Sequence, residues 1–208
     1  MRLSLGIPQG MTSPQNSDNR FTRWITDSFG LAKADKWLNQ ERNLGSNVEL
    51  VYQLQRLARL DFELQANLSG VAAAIEAQTK ATDVIPDAAL LALQRHLYQS
   101  FLWVLAAYEL IRTLDQVCSA DETIYGPALS KEIKDFKHYI ERLRVPLAKL
   151  VAAKRHRNSD FPRAYPVLVN GKDVAWQVHP STTISRQDLS DRLLLLMEKL
   201  RAATVTQS

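Results

Sequence analysis

Apolar side chains recur at alternating steps of three and four residues in three long stretches of this chain, a spacing that commits those stretches to packed helices. The first runs Leu50, Leu54, Leu57, Asp61, Leu64, Leu68, Val71, Ile75, and Ser46 or Asn47 caps its start. The second, over about 86–118, runs Leu90, Leu93, Leu97, Ser100, Val104, Ala107, Ile111, Leu114, with Pro86 suited to its first turn. The third runs Ile133, Phe136, Ile140, Leu143, Leu147, Leu150 and is read as a helix to about Arg157. On that reading Lys154 and Arg157 continue the apolar face, and Pro146 kinks or splits the helix by removing a hydrogen bond.

After Arg157 the period changes. Tyr165–Val169 and Lys172–Val178 flank Asn170-Gly171, whose tolerance of positive φ angles predicts a tight β-hairpin. Ser185 followed by Asp188 resembles a capping box, and Leu189, Leu193, Leu196 and Leu200 mark a last helix. The apolar run Leu193–Met197 implies that this helix has more than one neighbour.

The expected fold is mainly α: a single bundle of about four long helices, a short N-terminal helical arm, and a small β-hairpin before the last helix. Residues 1–19 read as disordered, with Met11 an alternative start to Met1. Residues 20–45 form the arm, carrying Phe21, Trp24 and Trp37, and 46–204 the bundle, with the hairpin at 165–178. The tail, 205–208, is expected to fray.

Charge is divided along the chain. The residues up to Ser130 hold 11 Lys and Arg against 14 Asp and Glu, whereas Lys131 onward holds 15 against 8. Anionic partners should therefore meet the C-terminal half. A single cysteine, Cys118, excludes a disulfide within the chain, and no apolar stretch of signal-peptide length opens the sequence. Both readings point to the cytoplasm. The stretch Leu97–Ile111 is apolar nearly all round, but Arg95, His96 and Arg112 bound it at a length short of a membrane span. It is either the central helix of the bundle or a helix sharing a second face with another subunit.

The segment Lys154-Arg155-His156-Arg157 supports two readings. Cations at a helix C-terminus are favoured by exposed carbonyls and the macrodipole, which explains them structurally. Alternatively Lys149, Lys154, Arg155, His156, Arg157 and Arg163 form an anion or nucleic-acid site, with Asn158 and Ser159 adding hydrogen bonds and Phe161 and Tyr165 stacking on bases. Asp61 is the other candidate, since a carboxylate in an apolar seam must be paired, protonated or rotated outward. In an antiparallel hairpin it should face Ser100, Tyr108 or Arg112, most simply as a buried register-fixing hydrogen bond.

No metal centre or cofactor is expected. Asp135, His138 and Glu141 follow at steps of three, but they lie opposite the apolar seam among lysines, and His156 with Asp160 is one pair alone. No Gly-x-Ser-x-Gly, P-loop or Gly-x-Gly-x-x-Gly motif occurs. Cys118 sits near Asp115, Asp121 and Glu122, a setting that does not activate a thiol. Trp176, with Tyr165, is expected to pin the hairpin to the bundle.

A helical bundle with a basic helix end is similar in architecture to the HEPN domains, helical modules often found as toxin ribonucleases. Active members carry an Arg followed by His after four to six intervening residues. None of His96, His138, His156 and His179 has an Arg at that distance, although Lys149 precedes His156 and Lys172 precedes His179 at such a spacing. The resemblance implies at most a degenerate ribonuclease or a toxin or defence component. The functional expectation is a non-enzymatic helical interaction or assembly module with a protein partner or a second copy, the alternative being RNA binding through the basic helix end.

Overall fold

The computed structural model describes residues 50, 52–67, 87–121, 124–169 and 173–205. The N-terminal segment and arm, the first seam beyond 67, the Asn170-Gly171 turn and the tail after 205 lie outside the described residues.

Within them the chain is mostly helical, with a three-stranded antiparallel sheet before the last helix. The helices are α1 (52–67), α2 (Asp87–Ala120), α3 (Gly126–Lys149) and α4 (Arg186–Val205). A 3-10 turn at Lys154–His156 leads into β1 (Tyr165–Val169), β2 (Asp173–His179) and β3 (Thr182–Ser185). The strands lie in the order β1-β2-β3.

The first seam is realised within the described residues. Leu50, Leu54, Leu57, Asp61 and Leu64 are all buried. On α2 the buried face keeps the expected Ser100, Val104, Ala107, Ile111 and Leu114 but is wider than that seam. It holds His96, Ser100, Trp103, Ala107, Leu110, Leu114 and Cys118, together with Val104 and Ile111, whereas Leu90 is exposed. Trp103 is fully enclosed and donates its Nε1–H to the Leu57 carbonyl at 3.1 Å, joining α2 to α1. A buried indole adds large apolar area only if this polar handle finds a partner.

Along α3, Ile133, Phe136, Ile140 and Leu143 are buried as the seam requires. Pro146 does not split the helix; it is buried inside it, and the helix ends one turn later. The expectation that α3 continues to Arg157 is corrected by its C-cap. Leu150 adopts a left-handed conformation (φ 55°) there and is exposed, so the seam ends before it and the chain turns away.

The hairpin pairs Tyr165 with Gln177 and Val169 with Asp173, a register centred where the sequence expected it. Its third strand, β3, has no counterpart in the sequence pattern, because Thr182–Ser185 is too short to show alternation. Alternating residues of β2 and β3, Val174, Trp176, Val178 and Ile184, close the core from the sheet side. Trp176 does pin the sheet, but Tyr165 is half exposed. Ser185 caps α4 by accepting the Asp188 amide N–H at 3.0 Å. On α4, Leu193, Leu194, Leu196 and Met197 are buried against α2, α3 and the sheet, and Leu195 is exposed. No helix of the described residues is long and apolar enough to cross a membrane.

Candidate functional site

The basic segment forms a compact turn at the end of α3. After Leu150 the chain buries Ala152 and Ala153, and the His156 amide N–H then donates to the Ala153 carbonyl at 2.8 Å. The amides of Ser159 and Asp160 both donate to the His156 carbonyl, at 3.1 and 2.9 Å. In a 3-10 turn side chains three residues apart eclipse one another. Lys154 and Arg157 therefore share a face, but by the pitch of the turn and not as an extension of the α3 seam. That corrects the expectation that these two residues prolong the core stripe.

What holds the turn is an ion pair that sequence reasoning missed. Arg142 on α3 grips Asp160 with both arms, Nε to Oδ2 at 2.7 Å and Nη2 to Oδ1 at 2.9 Å, and the Ser159 hydroxyl adds a third bond at 3.0 Å. Burial alone would raise the Asp160 carboxyl, but the Arg142 fork and Ser159 outweigh it and hold the carboxyl below its usual range. Asp160 is the one acid between Leu150 and Arg163, and it is buried.

The remaining charges of the segment are positive and outward. Lys149, Lys154, Arg157 and Arg163 are exposed and make no ion pair among the described residues. Arg155 reaches back to α3, where its Nη2 lies 2.9 Å from His138 Nε2. Arginine only donates, so His138 accepts on Nε2 and carries its proton on Nδ1, 3.2 Å from Glu141 Oε2. His156 is half-buried, with Nδ1 4.0 Å from Asp160 Oδ2, too far for a hydrogen bond. Asp135 is paired with Lys131 at 2.6 Å, so each member of the Asp135, His138, Glu141 series is engaged along the helix and turn.

Asp61 belongs to a second polar centre, deep between α1, α2 and α4. It is fully buried and paired with Arg186, which is itself 2% exposed, and it accepts the Gln65 amide at 3.0 Å. The expected partners are thereby corrected. Arg112 instead pairs with Glu109 at 2.6 Å, and Tyr108 lies beneath Arg144, 4.8 Å from its ring centre. The Arg186 guanidinium sits 5.9 Å from the Trp103 ring centre, against the face of α2 that carries His96 and Ser100. Both His96 nitrogens, the Ser100 hydroxyl and Arg186 Nε lack hydrogen-bond partners among the described residues. Burial, and then the neighbouring Arg186 charge, lower the His96 pKa to about 4, so it is neutral at neutral pH. One signal could have revealed this centre. Arg186 opens a helix, where the macrodipole opposes a cation by roughly 0.3–1 kcal/mol, so an acid nearby would offset that cost.

Between α3 and α4 lies a cleft of about 430 Å³ lined by Glu132, Asp135, Phe136, Tyr139, Arg192 and Leu195. Its rim charges are used locally, with Lys199 on Glu132, Lys131 on Asp135, and Arg192 on Asp188. Of these polar groupings, the turn after α3 is the one that combines accessibility with uncompensated charge.

Comparison of the chain with known protein families, curated proteins and solved structures returns no match.

Proposed function

We propose that this protein is a non-enzymatic interaction module whose docking surface is the basic turn after α3, and that it takes polyanionic partners, nucleic acid before others. The observation that carries this reading is the disposition of charge. The segment's one acid is spent on Arg142, while Lys149, Lys154, Arg157 and Arg163 stay exposed without an acid partner among the described residues. Helix capping favours a cation near the last carbonyls, but Lys154, Arg157 and Arg163 stand beyond the end of α3 and outside that role. Arginine forks and lysine point charges are the side chains that neutralise phosphates.

The test is binding of the full chain to labelled RNA across a salt series. Affinity should fall steeply with salt. Replacing Lys154, Arg155 and Arg157 together by Ala should weaken binding and flatten the salt slope by about 0.7 for each phosphate no longer neutralised. Absence of binding to any polyanion at low salt, or an unchanged slope in the triple variant, would overturn the reading.

A second reading, assembly through α2, is favoured by a separate observation. Leu91, Tyr98 and Leu102 are 63%, 62% and 40% exposed at steps of seven and four, and so share one side of α2, away from its buried face. Sedimentation of the wild type against Tyr98→Lys decides it: a compact monomer at micromolar concentration removes this reading.

A further inference from the structure

From the geometry next to the basic turn we infer that the strand docking there is single-stranded nucleic acid, with a base lying on Tyr165 at the outer row of the sheet. This rests on the basic turn being the polyanion site, and it specifies which polyanion.

The turn and the sheet are tied at one point, where the Phe161 amide N–H donates to the Val178 carbonyl at 2.8 Å. Phe161 then meets Tyr165 edge to face, with ring centres 5.5 Å apart, which holds the tyrosine ring in place while leaving its other surface free. Tyr165 remains 50% exposed and stands two residues from Arg163.

The register decides which way this row faces. Tyr165 is opposite Gln177, and Gln177 is opposite Thr183, so the three side chains lie in a line across all three strands. Side chains directly opposite across an antiparallel ladder share a face, and neighbouring strands are about 4.8 Å apart. The adjacent row is Pro166, Trp176 and Ile184; Pro166 is exposed on the edge strand, but Trp176 is 3% and Ile184 0% exposed, so on β2 and β3 that row points into the core. The Tyr165 row therefore points outward. Gln177 is oriented by donating to the Pro180 carbonyl at 3.1 Å, and it and Thr183 offer an amide and a hydroxyl beside the ring.

An aromatic ring with hydrogen-bonding neighbours in the outer row of the sheet, next to the cations of the turn, suits an unstacked base whose backbone runs toward Lys154 and Arg157. A duplex keeps its bases stacked within itself and cannot use the ring.

The experiment compares three probes on the full chain: a single-stranded oligouridylate, the duplex it forms with its complement, and heparin. The wild type should prefer the single strand. Tyr165→Ala should weaken single-strand binding on the order of tenfold without changing the salt slope or heparin binding. Tyr165→Phe should retain the affinity, and Thr183→Glu, at an exposed site, should lower single-strand binding independently. Equal affinity for duplex and single strand, or equal loss of heparin and single-strand binding in Tyr165→Ala, overturns the stacking row alone. Failure of all three probes to bind overturns the basic turn with it.

Discussion

His96 offers the strictest check on the buried centre. It is 2% exposed, neither nitrogen has a hydrogen-bond partner among the described residues, and the fixed charge of Arg186 stands close by. Protonating it would put a second cation beside a site where one carboxylate, Asp61, already serves Arg186. Its pKa accordingly falls from 6.5 to about 4. The unfolded chain binds a proton at His96 below pH 6.5, whereas the folded chain does so only near 4. Acidification through that window therefore favours unfolding. The stability is fully present above about pH 6.5 and falls as the pH drops, by roughly 3 kcal/mol at pH 4. The comparison that isolates this contribution is urea unfolding of the wild type and His96→Leu between pH 7.5 and 4. The variant cannot titrate at this position, so the stability difference should move by roughly 3 kcal/mol in its favour across the window. A His96 imidazole resonance that titrates near 6.5 in the folded protein would refute the reasoning, as would parallel loss of stability in the two proteins.

Other outcomes follow from named interactions. Arg186→Met should destabilise by about 3–5 kcal/mol because it strands Asp61, whereas Asp61→Leu with Arg186→Met should recover most of that loss, measured by denaturant unfolding of both single variants and the double. Arg142→Ala should cost about 3 kcal/mol by leaving the Asp160 carboxylate buried without its fork. It should also speed proteolysis between Lys154 and Phe161, and an intact, equally resistant turn would show that the fork does not hold it. Leu150→Gly should stabilise by up to about 1 kcal/mol, since the left-handed backbone suits glycine and the exposed leucine gives up little packing. A lower melting temperature for that variant would contradict the strain argument.

The helices were legible because burial on one face forces a period that survives without any knowledge of the partner. Ile133, Phe136, Ile140 and Leu143 show this well: four apolar positions on one helix side, all buried as expected. The strand pair was legible through Asn170-Gly171, and the start of α4 through Ser185. Asp61 could be recognised as requiring a partner, since no isolated carboxylate stays charged in an apolar seam. The composition of the basic turn, with five Lys and Arg and one acid from Lys149 to Arg163, was equally open to reading.

Which residues meet was decided only by the tertiary structure. Asp61 and Arg186 lie 125 residues apart and Arg142 and Asp160 lie 18 apart, and no local rule links either pair. On α2 the expected seam is buried from Ser100 to Leu114, but its neighbours decided that Trp103 and Leu110 join it while Leu90 stays exposed. The end of α3 depended on a left-handed Leu150, a conformation that leucine's own preferences oppose and that the descent of the chain into Ala152 and Ala153 imposes. Periodicity is a property of one helix and its solvent, so the sequence carries it alone. Pairing is a property of two surfaces brought together, and it exists only once the chain has folded.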